Sequence, residues 1–200
     1  MVDDRREDAE LIAASLTDPA QFELIFERHY GAIHRYLTRR GGWELAEDLT
    51  QGVFLAGFAG RRRFRPSEAS AAPWLFGIAT NLLRRHARTE LRRLRAYARL
   101  PAREVASFDV NAMVDRLDAA ALAPRAFDIV SRLPEGERSA LLLVAWTDLT
   151  YEQAAVALNV PVGTIRSRIH RARGKLRELL GANGQDRDMN ARAVEPTNDG

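Results

Sequence analysis

Residues 150–180 have the sequence TYEQAAVALNVPVGTIRSRIHRARGKLRELL, and this stretch decides the fold of the C-terminal part of the chain. Thr150, followed three residues later by Gln153, is a capping-box pattern that starts a short helix. Asn159 and Pro161 end that helix, and a second helix starts at Val162 and runs to about Leu180. Two helices joined by a short turn predict a helix-turn-helix, whose second helix lies in the DNA major groove.

The second of these helices has one apolar and one polar face at the helical period. The apolar face is predicted to carry Ile165, Ile169, Ala172, Leu176, Leu179 and Leu180. The polar face carries side chains that bond guanine edges or phosphates, so we expect it to contact DNA. The predicted DNA-contacting residues are Thr150, Tyr151, Arg166, Ser167, His170, Arg171 and Arg173. A merely solvated face held by intrahelical ion pairs is the alternative, but no acid lies within residues 161–177.

Charge is clustered although the net charge is only +3. Residues 61–95 contain ten Arg and two Glu, and residues 161–177 contain six Arg or Lys. All basic residues except Lys175 are Arg, which binds phosphates and guanine edges through a planar fork. Two compact basic blocks indicate binding to a polyanion at two places.

The rest of the chain is also predicted to be helical, because Gly and Pro fall at joints and no alternating strand pattern persists. One helix starts at Asp18-Pro19 and ends at Gly41-Gly42, the next spans residues 44–59, and a third runs from Pro73 to about Arg95. We therefore expect an all-α protein with two small helical domains joined by a flexible linker. The predicted divisions are an N-terminal segment at 1–17, a domain at 18–95, the linker at 96–123, a domain at 124–180 and a disordered tail at 181–200.

The third helix of the first domain has a basic face that suits unwound nucleic acid. Aromatic rings stack on bases, arginines pair with phosphates, and an amide bonds a base edge. The residues predicted to form this platform are Phe64, Arg65, Trp74, Asn81, Arg84, Arg85 and Arg88. For Trp74 burial in the core is an equal alternative, whereas Asn81 has no apolar reason for its position.

The helix at 44–59 has two apolar faces, although a helix of a small domain buries only one face well. The second face combines aromatic and polar side chains and predicts a protein partner. Its residues are Asp48, Gln51, Phe54, Leu55 and Phe58. Coverage by a neighbouring helix is the alternative.

These motifs together resemble the extracytoplasmic-function (ECF, group IV) class of bacterial sigma factors. The resemblance is carried by AEDLTQGVFL at 46–55, WLFGIATN at 74–81, LTYEQAA at 149–155 and VPVGTIRSRIHRAR at 160–173. It implies that residues 18–95 are sigma region 2, which binds the polymerase core and the −10 promoter element. It also implies that residues 124–180 are sigma region 4, which binds the −35 element. The resemblance implies the polymerase β and β′ subunits and promoter DNA as partners, and an anti-sigma factor as a frequent inhibitor in the family.

By the same resemblance, Asp48, Gln51 and Phe54 would contact the polymerase clamp helices, and Asn81 would bind a flipped base of the non-template strand. Two positions depart from the family pattern. Gly52 replaces an acidic residue, which would weaken or reshape the polymerase contact. Residues 83–86, Leu-Arg-Arg-His, replace an acid-containing stretch, which would alter specificity for the −10 element.

Other functional classes fit the sequence less well. A helix-turn-helix regulator that does not serve polymerase would suit residues 150–180 alone, but the N-terminal half lacks the alternating strand–helix pattern of a receiver domain. The chain has no Cys, its four His are scattered, and no catalytic acid pair stands out, so we expect no enzyme, metal or cofactor. Neither a secretory signal nor an apolar membrane span is visible, which predicts a cytoplasmic protein.

Overall fold

The computed structural model describes residues 6–65, 70–97, 130 and 132–192. Within these ranges all regular elements are helices: α1 (Asp8–Ala14), α2 (Phe22–Gly41), α3 (Trp43–Gly60), α4 (Ala72–Tyr97), α5 (Glu135–Trp146), α6 (Tyr151–Leu158) and α7 (Val162–Arg192), with 3₁₀ turns at Pro19–Gln21 and Arg61–Arg63. The prediction of an all-α protein with a helix-turn-helix at its C-terminal end is confirmed. The predicted linker falls almost entirely outside the described residues.

The first unit packs α2, α3 and α4 around a core of aliphatic and aromatic side chains. Asp18 accepts a hydrogen bond from the Ala20 amide at 3.2 Å, and the 3₁₀ turn that follows leads into α2. Gly42 separates α2 from α3 with φ at 79°, in a backbone region that favours glycine. The core of this unit includes the fully buried side chains Ile25, Ile33, Leu37, Val53 and Leu75.

Helix α1 belongs to this unit, which differs from the prediction of a separate N-terminal segment at 1–17. Leu11 and Ile12 are buried in the shared core, and Asp8 at the start of α1 is also buried. The sequence signal was weak because α1 has seven residues and only one apolar pair, too short for a periodic pattern.

The second unit packs α5, α6 and α7. The predicted capping box is present: Thr150 Oγ1 accepts from the Gln153 amide at 3.2 Å, and Gln153 Oε1 accepts from the Thr150 amide at 3.0 Å. Asn159 closes α6 in the left-handed conformation, with φ at 50°. The buried face of the unit includes Leu143, Ile165 and Ala172. The helix-turn-helix is therefore held together by buried apolar side chains.

The two units share one continuous core, because α4 packs directly on α6. The closest approach is at Gly77, where a Cβ atom would lie 2.6 Å from the carbonyl oxygen of Ala157. No side chain fits that gap without movement of the backbone. Glycine at this position is thus what allows α4 and α6 to come so close.

Helix α7 extends to Arg192, twelve residues beyond the predicted end at Leu180. The prediction of a disordered tail from residue 181 is therefore wrong for residues 181–192, and residues 193–200 lie outside the described residues. Gly and Asn in this stretch are poor helix formers, which motivated the prediction. Once a helix is nucleated on a packed core, however, each added residue gains a hydrogen bond, and the helix propagates through them.

Candidate nucleic-acid interface

The helix-turn-helix places its apolar and polar residues as the wheel predicted. Ile165, Ile169 and Ala172 are buried. The predicted DNA-contacting residues of α7, namely Arg166, Ser167, His170, Arg171 and Arg173, are all exposed. On the preceding helix-turn-helix segment Thr150 is exposed and Tyr151 is half-buried. We call the surface that these residues present the α7 face.

Two acids from other helices reach the α7 face. Arg166 Nη2 lies 3.4 Å from Glu152 Oε1, in a pair whose side chains are 63% and 62% exposed. Glu137 on α5 binds Arg171 at 3.1 Å and Lys175 at 2.9 Å. The bonds from Lys175 and Arg171 hold the pKa of Glu137 below its usual range, against the opposing effect of burial. Arg171 is still 54% exposed, so part of its guanidinium group remains in contact with solvent.

The basic face of α4 is only partly open to solvent. Asn81, Arg85 and Arg88 are exposed on α4, and Arg65 is exposed in the preceding loop. The Trp74 ring is half-buried, with its centroid 5.1 Å from that of Phe64. Trp74 lies between the two alternatives, because its side chain packs against the core and remains partly exposed.

Arg84, in contrast, is held by the second unit. Its Nε lies 3.3 Å from Glu135 Oε1, and Arg40 Nη2 lies 3.5 Å from the same oxygen. Burial raises the pKa of Glu135, but hydrogen bonds from Ser139 and Arg138 and the charges of Arg138 and Arg40 outweigh it and lower the pKa to about 2. Glu135 is therefore charged under all ordinary conditions.

Helix α3 exposes two polar side chains and one leucine in a narrow row, which we call the α3 stripe. Asp48, Gln51 and Leu55 are exposed at helical spacing, and Leu55 is 72% exposed. Phe54 is only 6% exposed, and its ring lies 4.8 Å from that of Phe26 on α2. Phe58 is half-buried, 5.4 Å from the ring of Phe22. Coverage by a neighbouring helix thus holds for Phe54 and largely for Phe58, while the other three predicted residues form a surface.

Gly52 and part of the 83–86 stretch, where the sequence departs from the family pattern, lie at contacts between helices. A Cβ at Gly52 would meet Leu82 of α4 at 3.4 Å, so this position faces α4 and not the exposed stripe of α3. In the stretch at 83–86, Leu83 is buried in the core and Arg85 is exposed. The substitutions therefore bear first on the packing of α4.

The sequence analysis missed Glu135 and Glu137 as site residues. Both lie in the first turn of α5, where acids are expected simply because they stabilise a helix N-terminus. Their partners Arg84 and Arg171 are 51 and 34 residues away in the chain. A search for acids within the basic blocks alone finds neither residue.

No group of three or more metal-binding side chains occurs among the residues that the structure describes. Of the helices in those same ranges, none combines the length and the apolar character that crossing a bilayer requires.

Comparisons with known proteins identify both units. Residues 25–99 match the family model described as Sigma-70 region 2, and residues 126–176 match the model described as Sigma-70, region 4. The chain is 34% identical over 179 residues to the ECF RNA polymerase sigma factor SigM of Mycobacterium tuberculosis, a match covering 88% of this chain and 86% of that protein. It is 35% identical over 162 residues to the RNA polymerase sigma factor CarQ of Myxococcus xanthus, covering 80% of this chain and 89% of that protein.

The fold also resembles that of the sigma factor RpoE from Bartonella quintana, solved in complex with the anti-sigma factor NepR. The TM-score is 0.60 at 24% identity, over 80% of this chain and 96% of that one. The region models and the identity to curated relatives carry the assignment and confirm the family predicted from the motifs. The chain belongs to the extracytoplasmic-function sigma factors, the sigma-70-type subunits that recognise promoters and direct RNA polymerase to start transcription.

Proposed function

We propose that the α3 stripe, the α7 face and the basic face of α4 each have a separate role in transcription initiation. In this proposal the α3 stripe docks on the polymerase core, the α7 face binds the −35 element as duplex, and α4 holds the −10 element as single strand. The functional domains are residues 18–95 and 124–180, with α1 as an accessory to the first. The observation that carries the proposal is the separation of two outward basic surfaces, one on α7 and one on α4, by a shared apolar core.

On α7 the exposed side chains support recognition of duplex DNA. Arg166 and Arg171 form bidentate hydrogen bonds with guanine edges, while Ser167 and His170 each form a single hydrogen bond with a base. Arg173 binds a phosphate. Thr150 and Tyr151 contact the DNA backbone where the first helix of the motif crosses it. The contact of Arg171 with the nearly buried Glu137 keeps that guanidinium group ordered before DNA arrives.

On α4 the arrangement supports capture of an unwound strand. Asn81 bonds the edge of a base turned out of the stack, and Arg65, Arg84, Arg85 and Arg88 bind the phosphates around it. Phe64 and Trp74 form an aromatic pair at the start of the helix, which offers a ring edge to a neighbouring base. Trapping the flipped base offsets an unstacking cost of a few kcal/mol.

Asp48, Gln51 and Leu55 support docking on the polymerase core, through its β and β′ subunits in this proposal. An apolar side chain flanked by polar groups is typical of a protein-binding patch. Phe54 and Phe58 pack against α2 and hold the helix that carries the patch in place. An anti-sigma factor is a further proposed partner, on the precedent of the relative solved with one. We propose that the chain acts in the cytoplasm, where bacterial polymerase works, and has no catalytic activity of its own.

The experiment that tests this division uses holoenzyme, assembled from the chain and polymerase core, and promoter fragments selected from the genome. Asn81→Ala should weaken binding to the non-template single strand and leave binding to the upstream duplex unchanged. Arg166→Ala should do the reverse, with a loss of about 1–3 kcal/mol if it forks a base. If both variants lose both activities equally, or if neither variant changes either, the division of labour is wrong.

A further inference from the structure

Three cationic side chains of α7 lie against the first turn of α5. Arg171 Nε donates to Glu137 Oε1 at 3.1 Å, and Lys175 Nζ donates to Glu137 Oε2 at 2.9 Å. Arg168 lies one turn before Arg171, and a Cβ atom at Gly136 would be 3.3 Å from its guanidinium carbon. A single carboxylate on α5 is thus the direct partner of two of these cations, and its chain neighbour lies against the third.

The carboxylate is enclosed, while its two partners remain open to solvent. The Glu137 side chain is 10% exposed, whereas those of Arg171 and Lys175 are 54% and 44% exposed. Arg171 and Lys175 are four residues apart on one helix, where like charges repel each other. The positive end of the α5 dipole repels them as well. Glu137 offsets both repulsions, and because each of its oxygens accepts from a different cation, it also restrains the two side chains relative to each other.

Orientation and charge have different effects on the binding of duplex DNA. A guanidinium group recognises guanine through two parallel hydrogen bonds, so its orientation decides whether the base is read. Contacts with phosphates, in contrast, contribute equally at every sequence and depend on the positive charge that is available. The bond from Nε to Glu137 restricts the rotation of the Arg171 guanidinium group. The same carboxylate neutralises part of the charge with which Arg171 and Lys175 would attract phosphates.

We propose that Glu137 is a positioning residue that sets the sequence selectivity of the α7 face. It orients Arg171 toward a base edge, and it lowers the attraction of Arg171 and Lys175 for the phosphates of unrelated duplex DNA. Glu152 differs from it, because the pair that Glu152 forms with Arg166 is largely exposed at 3.4 Å and contributes charge without fixing the guanidinium group. The inference rests on the proposed role of the α7 face in binding the −35 element.

The test compares the binding of two duplexes by holoenzyme, assembled from the full chain and polymerase core. The first probe is the upstream part of a promoter recovered by run-off transcription, and it ends before the −10 element so that no strand opening contributes. The second probe is the same duplex with its −35 element scrambled at constant base composition. The ratio of the two dissociation constants measures selectivity.

Glu137→Gln keeps the shape of the side chain and removes its charge. At low salt this variant should bind the scrambled duplex at least about threefold more tightly than the parent does. It should bind the promoter duplex no more tightly, because the loss of orientation at Arg171 offsets the electrostatic gain. The selectivity ratio should therefore fall at least about threefold. An unchanged ratio, whether both duplexes bind more tightly or neither does, would overturn the proposal.

Two matched substitutions separate orientation from charge. Glu152→Gln removes the same charge near the α7 face, so it should tighten binding to both duplexes by a similar factor and leave the ratio unchanged. Glu23→Gln removes an exposed acid in the first turn of α2 and should change neither affinity. A fall in the ratio of equal size for Glu152→Gln would contradict a specific role for Glu137.

The salt dependence of binding to the scrambled duplex is a second readout, which a merely structural role of Glu137 would not change. Without the internal counter-charge one more phosphate contact forms, so the slope of log affinity against log salt should steepen by about 0.9 in Glu137→Gln. An unchanged slope would refute the counter-charge role.

A further variant keeps the proposal testable if Glu137→Gln loses helical circular dichroism. Glu137→Asp keeps the charge but shortens the reach to Arg171 by one methylene group, so the selectivity ratio should fall while the salt slope stays as in the parent. An unchanged ratio in Glu137→Asp would then overturn the proposal. Failure of the proposed function has a separate signature, because the parent holoenzyme would itself bind the two duplexes equally.

Discussion

The Asp8 carboxylate accepts a hydrogen bond of 2.7 Å from the backbone amide of Ala71, the residue immediately before α4. The same carboxylate binds Arg28 at 2.8 Å and His29 at 2.6 Å on α2. A helix that sequence analysis left outside the domain therefore fixes the point at which α4 begins. Since Trp74 and Asn81 follow within three turns, the position of the proposed −10 surface depends on Asp8.

Asp8→Asn should destabilise the protein by about 3 kcal/mol at neutral pH, because it removes a buried carboxylate and leaves Arg28 and His29 without their negative partner. Burial raises the pKa of Asp8, but bonds from His29, the Ala71 amide and Arg28 hold it well below its usual range. The unfolded chain then binds more protons than the folded one in acid, so the contribution of Asp8 is complete above about pH 4 and is lost as pH falls toward the folded pKa. Urea unfolding over a pH series should show the gap between wild type and variant shrinking in acid. A gap that does not depend on pH would contradict this.

Glu137→Gln should cost about 1 kcal/mol of stability, because it weakens two charged bonds between α5 and α7 that are partly screened by solvent. Glu152→Gln is the matched control. Its pair with Arg166 is largely exposed and should contribute less than about 0.5 kcal/mol. Both changes remove one negative charge near the α7 face, so both should strengthen non-specific duplex binding at low salt to a similar degree. Equal losses of stability in urea unfolding would show that Glu137 has no special role.

Substitutions at two neighbouring residues of α3 should affect protein stability and polymerase binding separately. Phe54→Ala should lower stability by about 3–4 kcal/mol, because it empties a packed position between α2 and α3. Leu55→Glu should change stability by less than about 0.5 kcal/mol, since the side chain is in solvent. Co-purification with polymerase core at low salt should fail for Leu55→Glu alone, under conditions where Phe54→Ala remains folded. Unchanged core binding by Leu55→Glu would remove Leu55 from the docking surface.

Gly52→Ala should raise stability by about 1 kcal/mol, because alanine is the better helix former in the middle of α3. The added Cβ meets Leu82 at 3.4 Å, an ordinary van der Waals contact. A thermal melt monitored by circular dichroism should therefore show a higher midpoint, with core binding unaltered. A lower midpoint would mean that α3 and α4 are packed too tightly for a methyl group.

Local signals in the sequence predicted most of the fold. Asp18, Gly42 and the capping box at Thr150 and Gln153 act within a few residues, so the helix ends they set are visible in the chain itself. The apolar stripe of Ile165, Ile169 and Ala172 was predictable for the same reason, because a helical period repeats over short distances.

Such local signals do not predict interactions between segments that are distant in the sequence. Glu135, Glu137 and Asp8 act on partners more than 19 residues away, and nothing local marks them as partners. The second apolar face of α3 was ambiguous because burial of Phe54 depends on where α2 packs. The end of α7 was misjudged because residue propensity at 181–192 is weaker than the cooperativity of a helix already anchored.

The most direct test of the account is run-off transcription from a pool of genomic promoter fragments, with purified chain and polymerase core supplied separately and together. The account predicts discrete transcripts only when both are present, and their loss when Arg166 and Arg171 are both changed to Ala. Transcripts of equal yield from core alone, or a chain that binds these fragments yet never associates with core, would contradict it.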